Sequence, residues 1–253
     1  MKRLKIQDSY FDFTGHPDGY LEHLEMRGEP SLEAYARQYI PANATIIDIG
    51  ANIGFVSALF SVYNPTATIF AIEPGAINFG YLNENVQRND FKNVLTRNFA
   101  VGESDYSTGF QENSAWGFLN LSDDSIPELI HNVTQVKSID SFVFEERLQK
   151  VDLIKIDVEG FEKLVIDGMR ETIKEFRPKV IFELNSFCMI AYARTDPYRF
   201  LELIDNLFEN KFKFSKDLGT SELLTAIPKE GFIRNALHSN IVTGGSVEDY
   251  LVY

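Results

Sequence analysis

An α/β fold, with a mostly parallel central sheet and helices on both faces, is what this sequence predicts from three observations. Short β-branched apolar runs alternate with longer amphipathic stretches, the pattern of strand–helix–strand units. The first of these runs ends at a glycine-rich turn, Gly50 to Gly54, the place where such a sheet binds its ligand. An apolar fraction of 44% over 253 residues is ample for a buried core.

Each element can be justified in order. Residues 8–28 carry aromatics, Gly15, Pro17 and Gly19 without a steady period and read as loops or a short hairpin. Ser31 to Tyr39 places Leu32, Tyr35 and Tyr39 on one helical face, with Pro30 and Ser31 as start signals. Thr45 to Ile49 is a buried parallel strand, Phe55 to Tyr63 a helix stopped by Asn64 and Pro65, and Thr68 to Ile72 a second strand. Ala76 to Asn89 is amphipathic, with Ile77, Tyr81, Leu82 and Val86 inward, and Val94 to Val101 reads as a third strand. Extended segments at Trp116 to Leu121 and Val133 to Val136 fall in an insertion. Val151 to Ile156 is the fourth core strand, followed by one helix from Phe161 to Glu175. Lys179 to Leu184 is the fifth strand. Asp196 and Pro197 then start a helix as N-cap and first helical residue, with Tyr198, Leu201, Ile204 and Phe208 inward. The organisation expected is an N-terminal extension with a helix (1–44), a core (45–218) with an insertion near 102–135, and a C-terminal elaboration of the same domain (219–253).

Composition narrows the partners. A net charge of −13, with no cluster of Lys and Arg, argues against nucleic acid. No stretch approaches the ~20 consecutive apolar residues of a membrane helix. The basic start, Met1 to Asp8, has no apolar run behind it and does not read as an export signal. The lone cysteine, Cys188, reads as a small buried hydrophobe and suits a reducing, cytoplasmic setting. Oligomeric state is not encoded in any of these features.

The turn after the first strand identifies the ligand class. Gly50 allows a positive φ and close approach of a ligand, and Gly54 opens a helix whose amides favour an anionic group. A dinucleotide fingerprint needs glycines at relative positions 0, 2 and 5, which here hold Gly50, Asn52 and Phe55. A P-loop is also absent. The spacing Asp48, Gly50, Asn52, Gly54 instead resembles the first motif of S-adenosylmethionine methyltransferases, in which the acid reaches the ligand's amino group, directly or through water, and the glycines make room for its methionine portion. Glu73, at the end of the second strand, is placed to accept hydrogen bonds from ribose hydroxyls. The candidate cofactor contacts are Asp48, Gly50, Ala51, Asn52, Gly54, Glu73 and Ala100, the last near the end of the third predicted strand.

Four segments together resemble the FkbM family of methyltransferases: Asp48 to Gly54, Phe70 to Pro74, Leu153 to Gly160 and Pro178 to Glu183. The run Lys155 to Gly160 is the most specific of them. The resemblance, from about Thr45 to Phe214, implies a Rossmann-like methyltransferase fold, S-adenosyl-L-methionine as cofactor, and O-methylation of a sugar, glycan or natural-product hydroxyl. Two alternatives stay open on the residues alone: an NAD-dependent oxidoreductase, and a non-catalytic glycan- or partner-binding module of the same fold.

An alcohol is a weak nucleophile at neutral pH, so methyl transfer to it needs alignment and a base or a metal. Asp157 and Glu159, at the end of the fourth strand, are the candidate bases. Lys155, interior to that strand, needs an acidic partner, for which Asp157, Glu159 and Glu183 are available. No metal is expected, and the alternative set of oxygen ligands is Asp157, Glu183 and Asn185. His16, His23, His131 and His238 lack metal-ligand spacing. Phe110, Trp116 and Phe118 are candidates for stacking on a sugar ring, and the segment 102–135 is expected to select the acceptor.

Overall fold

The computed structural model describes residues 1–113, 116–119, 132–215, 222–242 and 248–253. Its centre is a run of five parallel strands, β5 (Val94–Arg97), β4 (Thr68–Ile72), β3 (Thr45–Ile49), β10 (Leu153–Ile156) and β11 (Lys179–Leu184), in that spatial order. Strand β14 (Glu248–Val252) adds to β11 antiparallel, followed by β12 (Lys211–Phe214) and the edge strand β13 (Leu224–Ala226). Strand order therefore reverses between β3 and β10, which opens a crevice at their carboxyl ends.

Side chains alternate across these strands and define two packed faces. Ile46, Ile69, Leu153, Ile181 and Leu251 point to one core; Ile47, Phe70, Ile154, Phe182 and Tyr250 point to the other. The first core is covered by helices α3 (Phe55–Tyr63) and α4 (Ala76–Arg88) and by the N-terminal segment. That segment is a hairpin, β1 (Lys2–Ile6) with β2 (Ser9–Phe13), followed by helices α1 (Tyr20–Arg27) and α2 (Pro30–Tyr39). It is a packed layer, with Phe13 and Tyr35 almost wholly buried. The second core is covered by α5 (Ile139–Glu145), α6 (Glu162–Asp167), α7 (Arg170–Phe176), α8 (Ser186–Ala191), α9 (Pro197–Leu207) and α10 (Phe232–Val242).

Buried asparagines tie the first face together. Asn85 of α4 accepts from the Thr14 amide (2.8 Å) and donates to the carbonyls of Thr14 and Ile53 (2.9 Å each). Asn89 accepts from the Asp12 amide and donates to its carbonyl, both at 2.9 Å. The N-terminal hairpin is thereby locked to α4 and to the turn after β3.

Several expectations change. The predicted third strand breaks at Asn98 and Phe99: β5 stays in the main sheet, while β6 (Ala100–Val101) joins a separate four-stranded sheet. There β6 pairs with β9 (Asn132–Lys137), which pairs with β7 (Tyr106–Asn113) and that with β8 (Trp116–Leu119). His131 and the side chains of Trp116 and Phe118 lie outside the described residues. Ile77 is half exposed because Asn78 and Asn85 take the buried positions of α4, and Tyr198 is exposed while Phe200 fills the core. The tail supplies α10 and two strands of the main sheet. Among the described residues no helix is long and apolar enough to cross a membrane.

The helix expected from Phe161 to Glu175 divides between α6 and α7 at Gly168. A Cβ at Gly168 would lie 2.0 Å from the Gly102 carbonyl oxygen, so the chain there must stay bare for the second sheet to dock. Gly168→Ala is expected to cost about 1–3 kcal/mol, the usual scale of overpacking. The measurement is a lower urea midpoint at unchanged slope.

Candidate active site

The turn after β3 is built on one close approach. Gly50 has φ +77°, and a Cβ there would sit 1.8 Å from the Asp157 carbonyl oxygen. Only glycine lets the ends of β3 and β10 come together this way. The Gly50 and Ala51 amides both donate to the Ile72 carbonyl, at 3.0 and 2.9 Å. Asn52 follows in the left-handed region, which asparagine tolerates better than most residues. Gly54 starts α3 but is buried beneath Leu82, so it shapes the turn without lining the cleft, where Phe55 and Val56 stand instead.

Glu73, just past the end of β4, closes the turn. Its Oε2 accepts from the Asn52 amide and its Oε1 from the Gly75 amide, both at 2.9 Å. Burial pushes this carboxyl up to about 7, with the two amides acting in the opposite direction. The Asn98 side-chain Nδ2 donates to the Glu73 carbonyl (2.8 Å), and the following Phe99 and Ala100 line the same cleft. Glu112 of β7 accepts from the Ile77 and Asn78 amides (3.1 and 2.8 Å) and so caps α4 from the second sheet.

The acidic residues on β3 and β10 are organised around Lys155. Strand register sets Lys155 beside Asp48. Its ammonium lies 3.5 Å from Asp48 and 3.1 Å from Asp157 and reaches toward the Gly50 carbonyl at 3.5 Å. Burial alone would depress its pKa, but Asp157 and Asp48 outweigh that and hold it charged. Asp48 is wholly buried, and the Ser57 hydroxyl donates to it at 2.5 Å. Asp48 was expected to reach a ligand's amino group directly or through water; its carboxylate lies against Ser57 and Lys155, behind the residues that line the cleft.

Asp157 lines the cleft but is held by Lys155. Glu159 lines it too, on a backbone at φ +53°, a conformation costly for glutamate and typical of functional turns. Burial and then Asp157 raise the Glu159 carboxyl, while the Cys188 thiol, donating to it at 3.4 Å, lowers it. Cys188 is buried as expected, yet it also touches this candidate base. Glu162 accepts from the Val158 and Gly160 amides (3.3 and 3.2 Å), and burial pushes it up to about 8.

A cleft of about 1260 Å³, counting its open mouth, lies at these strand ends. Gly50, Ala51, Asn52 and Glu73 line it from the ends of β3 and β4, Asp157, Glu159 and Glu183 from the ends of β10 and β11, and Ala100, Phe110 and Leu119 from the second sheet. Glu183 is raised well above the ordinary carboxyl range, by burial first and then by Asp157, Asp249 and Glu159. Asn185 uses its side-chain oxygen to cap α8 on the Cys188 amide (3.1 Å), so the oxygen set Asp157, Glu183 and Asn185 is not gathered. None of His16, His23 and His238 lines the cleft. Sequence reasoning missed Tyr20, Glu29 and Asp249, which come from the two ends of the chain and carry no motif.

The family described as "Methyltransferase FkbM domain" matches residues 48–214. "Methyltransferase 1" of Beauveria bassiana is 27% identical over 204 residues, covering 73% of this chain and 82% of that protein. "Hexuronic acid methyltransferase AglP" of Haloferax volcanii is 25% identical over 164 residues, 64% of each chain. The solved structure of Methyltransferase FkbM from Methylobacillus flagellatus KT aligns with a TM-score of 0.52 at 16% identity, over 91% of this chain and 52% of that one, a likeness of fold.

Two outcomes follow from the charge arrangement. Lys155→Ala leaves Asp48 buried without its cation and is expected to cost about 3–5 kcal/mol, measured by urea unfolding. Glu73 and Glu162 have folded pKa values above their unfolded value near 4.5, so the native state holds extra protons between about pH 4.5 and 8. Their contribution to stability is present at the acidic end of that window and is lost as pH rises through it. Glu162→Gln should therefore gain stability relative to the parent protein between pH 5 and pH 8, as read from thermal melts at each pH.

Proposed function

The chain belongs to the FkbM family of methyltransferases, and from that premise we propose that it moves a methyl group from S-adenosylmethionine to a hydroxyl of a sugar, glycan or natural-product acceptor. The observation that carries this reading is the Gly50 to Gly54 turn, clamped by Glu73 beside an acidic crevice at the strand-order reversal. A cleft lined by Glu29, Glu73, Asp157, Glu159, Glu183 and Asp249 suits a ligand with a cationic sulfonium centre. Asn52 at the second glycine position of a dinucleotide fingerprint disfavours a pyrophosphate. The relative named for a hexuronic acid lends weight to a sugar acceptor.

S-adenosylmethionine, when bound, supplies an activated methyl group and its own leaving group. The chain's residues have the remaining work. Gly50, Ala51 and Asn52 form the floor of the cofactor half, and Glu73 offers carboxylate oxygens to the ribose hydroxyls. The acceptor oxygen must be held in line at ~3–3.5 Å from the reacting carbon. Glu159 takes the acceptor proton, because its raised pKa makes it a stronger base than a solvated carboxylate. Asp157, held by Lys155, orients the acceptor hydroxyl. Tyr20 and Leu32 on one side and Phe110 on the other keep water from the cleft.

S-adenosylhomocysteine at 100 times its Kd should stabilise the protein by about 2.7 kcal/mol, seen as a rise in Tm. Glu73→Ala should remove most of that rise. Glu159→Gln should lower transfer of labelled methyl to a hydroxylated acceptor panel by ~10²–10⁴-fold with cofactor binding retained. A Tm shift with NAD and none with either cofactor form would overturn the reading.

A further inference from the structure

The cofactor proposed for this cleft carries an ammonium group on its methionine portion, and Asp48 is shut off from the cleft by burial, its Oδ1 lacking a hydrogen-bond partner there. Asp48 is wholly buried, held by Ser57 and Lys155, and does not line the cleft. Asp157 does line it, but it is already ion-paired with the same lysine at 3.1 Å.

The pleat points to another carboxylate. Strand alternation places Asp48, Lys155, Glu183 and Asp249 on the sheet face that carries Ile46, Leu153, Ile181 and Leu251. That face is covered by the N-terminal segment, and Tyr20, Glu29 and Leu32 of this segment line the cleft directly. Glu29 stands at the start of α2, yet its side chain makes no cap hydrogen bond to its own helix. The carboxylate is therefore not consumed by the helix it precedes. Burial pushes it up to about 7, with Asp249 adding to that and Lys155 opposing it, as befits an acid placed where a cation is wanted. Glu183 is the competing candidate. It lies at the end of β11, two strands and so about 10 Å from the end of β3, whereas Glu29 is within electrostatic reach of Lys155, the register neighbour of Asp48, as well as of Asp249.

We infer that Glu29, outside the matched family domain, is the residue that receives the ammonium of the cofactor's methionine portion, through a charge-assisted hydrogen bond. The N-terminal segment is then part of the cofactor site, and Asp48 serves as a positioning residue that fixes Lys155 and the β3 turn. This inference rests on the methyl-donor reading above.

Two probes separate the two. S-adenosylhomocysteine carries the amino-acid portion; 5′-methylthioadenosine keeps the adenosine and sulfur and lacks it. By calorimetry on the full chain, the parent protein should bind both. Glu29→Gln should lose at least tenfold in affinity for S-adenosylhomocysteine and less than twofold for methylthioadenosine, whose retained binding also reports intact folding. Glu29→Asp, which keeps the charge on a shorter arm, should lose less than Glu29→Gln. Equal losses for the two probes, no loss for either, or a selective loss found in Glu183→Gln instead, each overturn the assignment. If the parent protein binds neither probe, the methyl-donor reading itself falls, and this inference with it.

Discussion

The buried ammonium of Lys155 is the interaction on which the rest of the site depends. Two carboxylates, Asp48 and Asp157, and the Gly50 carbonyl converge on it from the adjoining ends of β3 and β10. Taking the charges of Lys155 and Asp48 out of water is costly, and such a buried pair persists only with close partners. Here the strand register supplies the geometry, Ser57 satisfies a second oxygen of Asp48, and bare Gly50 lets the two loop ends meet. A cleft rich in acids can then exist in a folded protein, because a buried cation offsets part of its innermost negative charge.

Around that anchor, single side chains join pieces of chain that are distant in sequence. Glu73 binds the turns after β3 and β4 into one surface. Asn85 ties the N-terminal hairpin to the Ile53 carbonyl beside the same turn. Glu112 caps α4 from the second sheet. The second sheet and the N-terminal layer are thus mechanically connected to the Gly50 to Gly54 turn, although neither belongs to the central parallel strands.

Much of this could be read from the residues. The bounds of β3, α3 and β4 follow from Gly50, Asn64, Pro65 and Pro74, whose backbone preferences punctuate the chain, and Asp196 with Pro197 marks the start of α9 by the same logic. What could not be read depends on tertiary choice. Val94 to Val101 is uniformly compatible with a strand, so its division between two sheets at Asn98 has no local signal. Ile77 and Tyr198 fit an inward stripe by period, yet Asn78, Asn85 and Phe200 occupy the core because their partners lie there. Asp48 carries the motif, but the lysine that encloses it is more than a hundred residues away. Glu29 and Asp249 belong to no motif at all, and only the packing of both chain ends on one sheet face brings them to the cleft.

The place of β14 has a consequence for how the protein is made. It follows every other strand in chain order yet lies inside the sheet, with β11 on one side and β12 on the other. During synthesis β12 and β13 emerge from the ribosome before the strand that will connect them to the rest. Until β14 arrives, β11 exposes an edge of unpaired backbone groups, the kind of surface that recruits other chains. Such non-local pairing is also slow to form. The nascent chain therefore spends its most vulnerable interval with the cleft's outer wall unbuilt, since Asp249 is delivered by that same late strand.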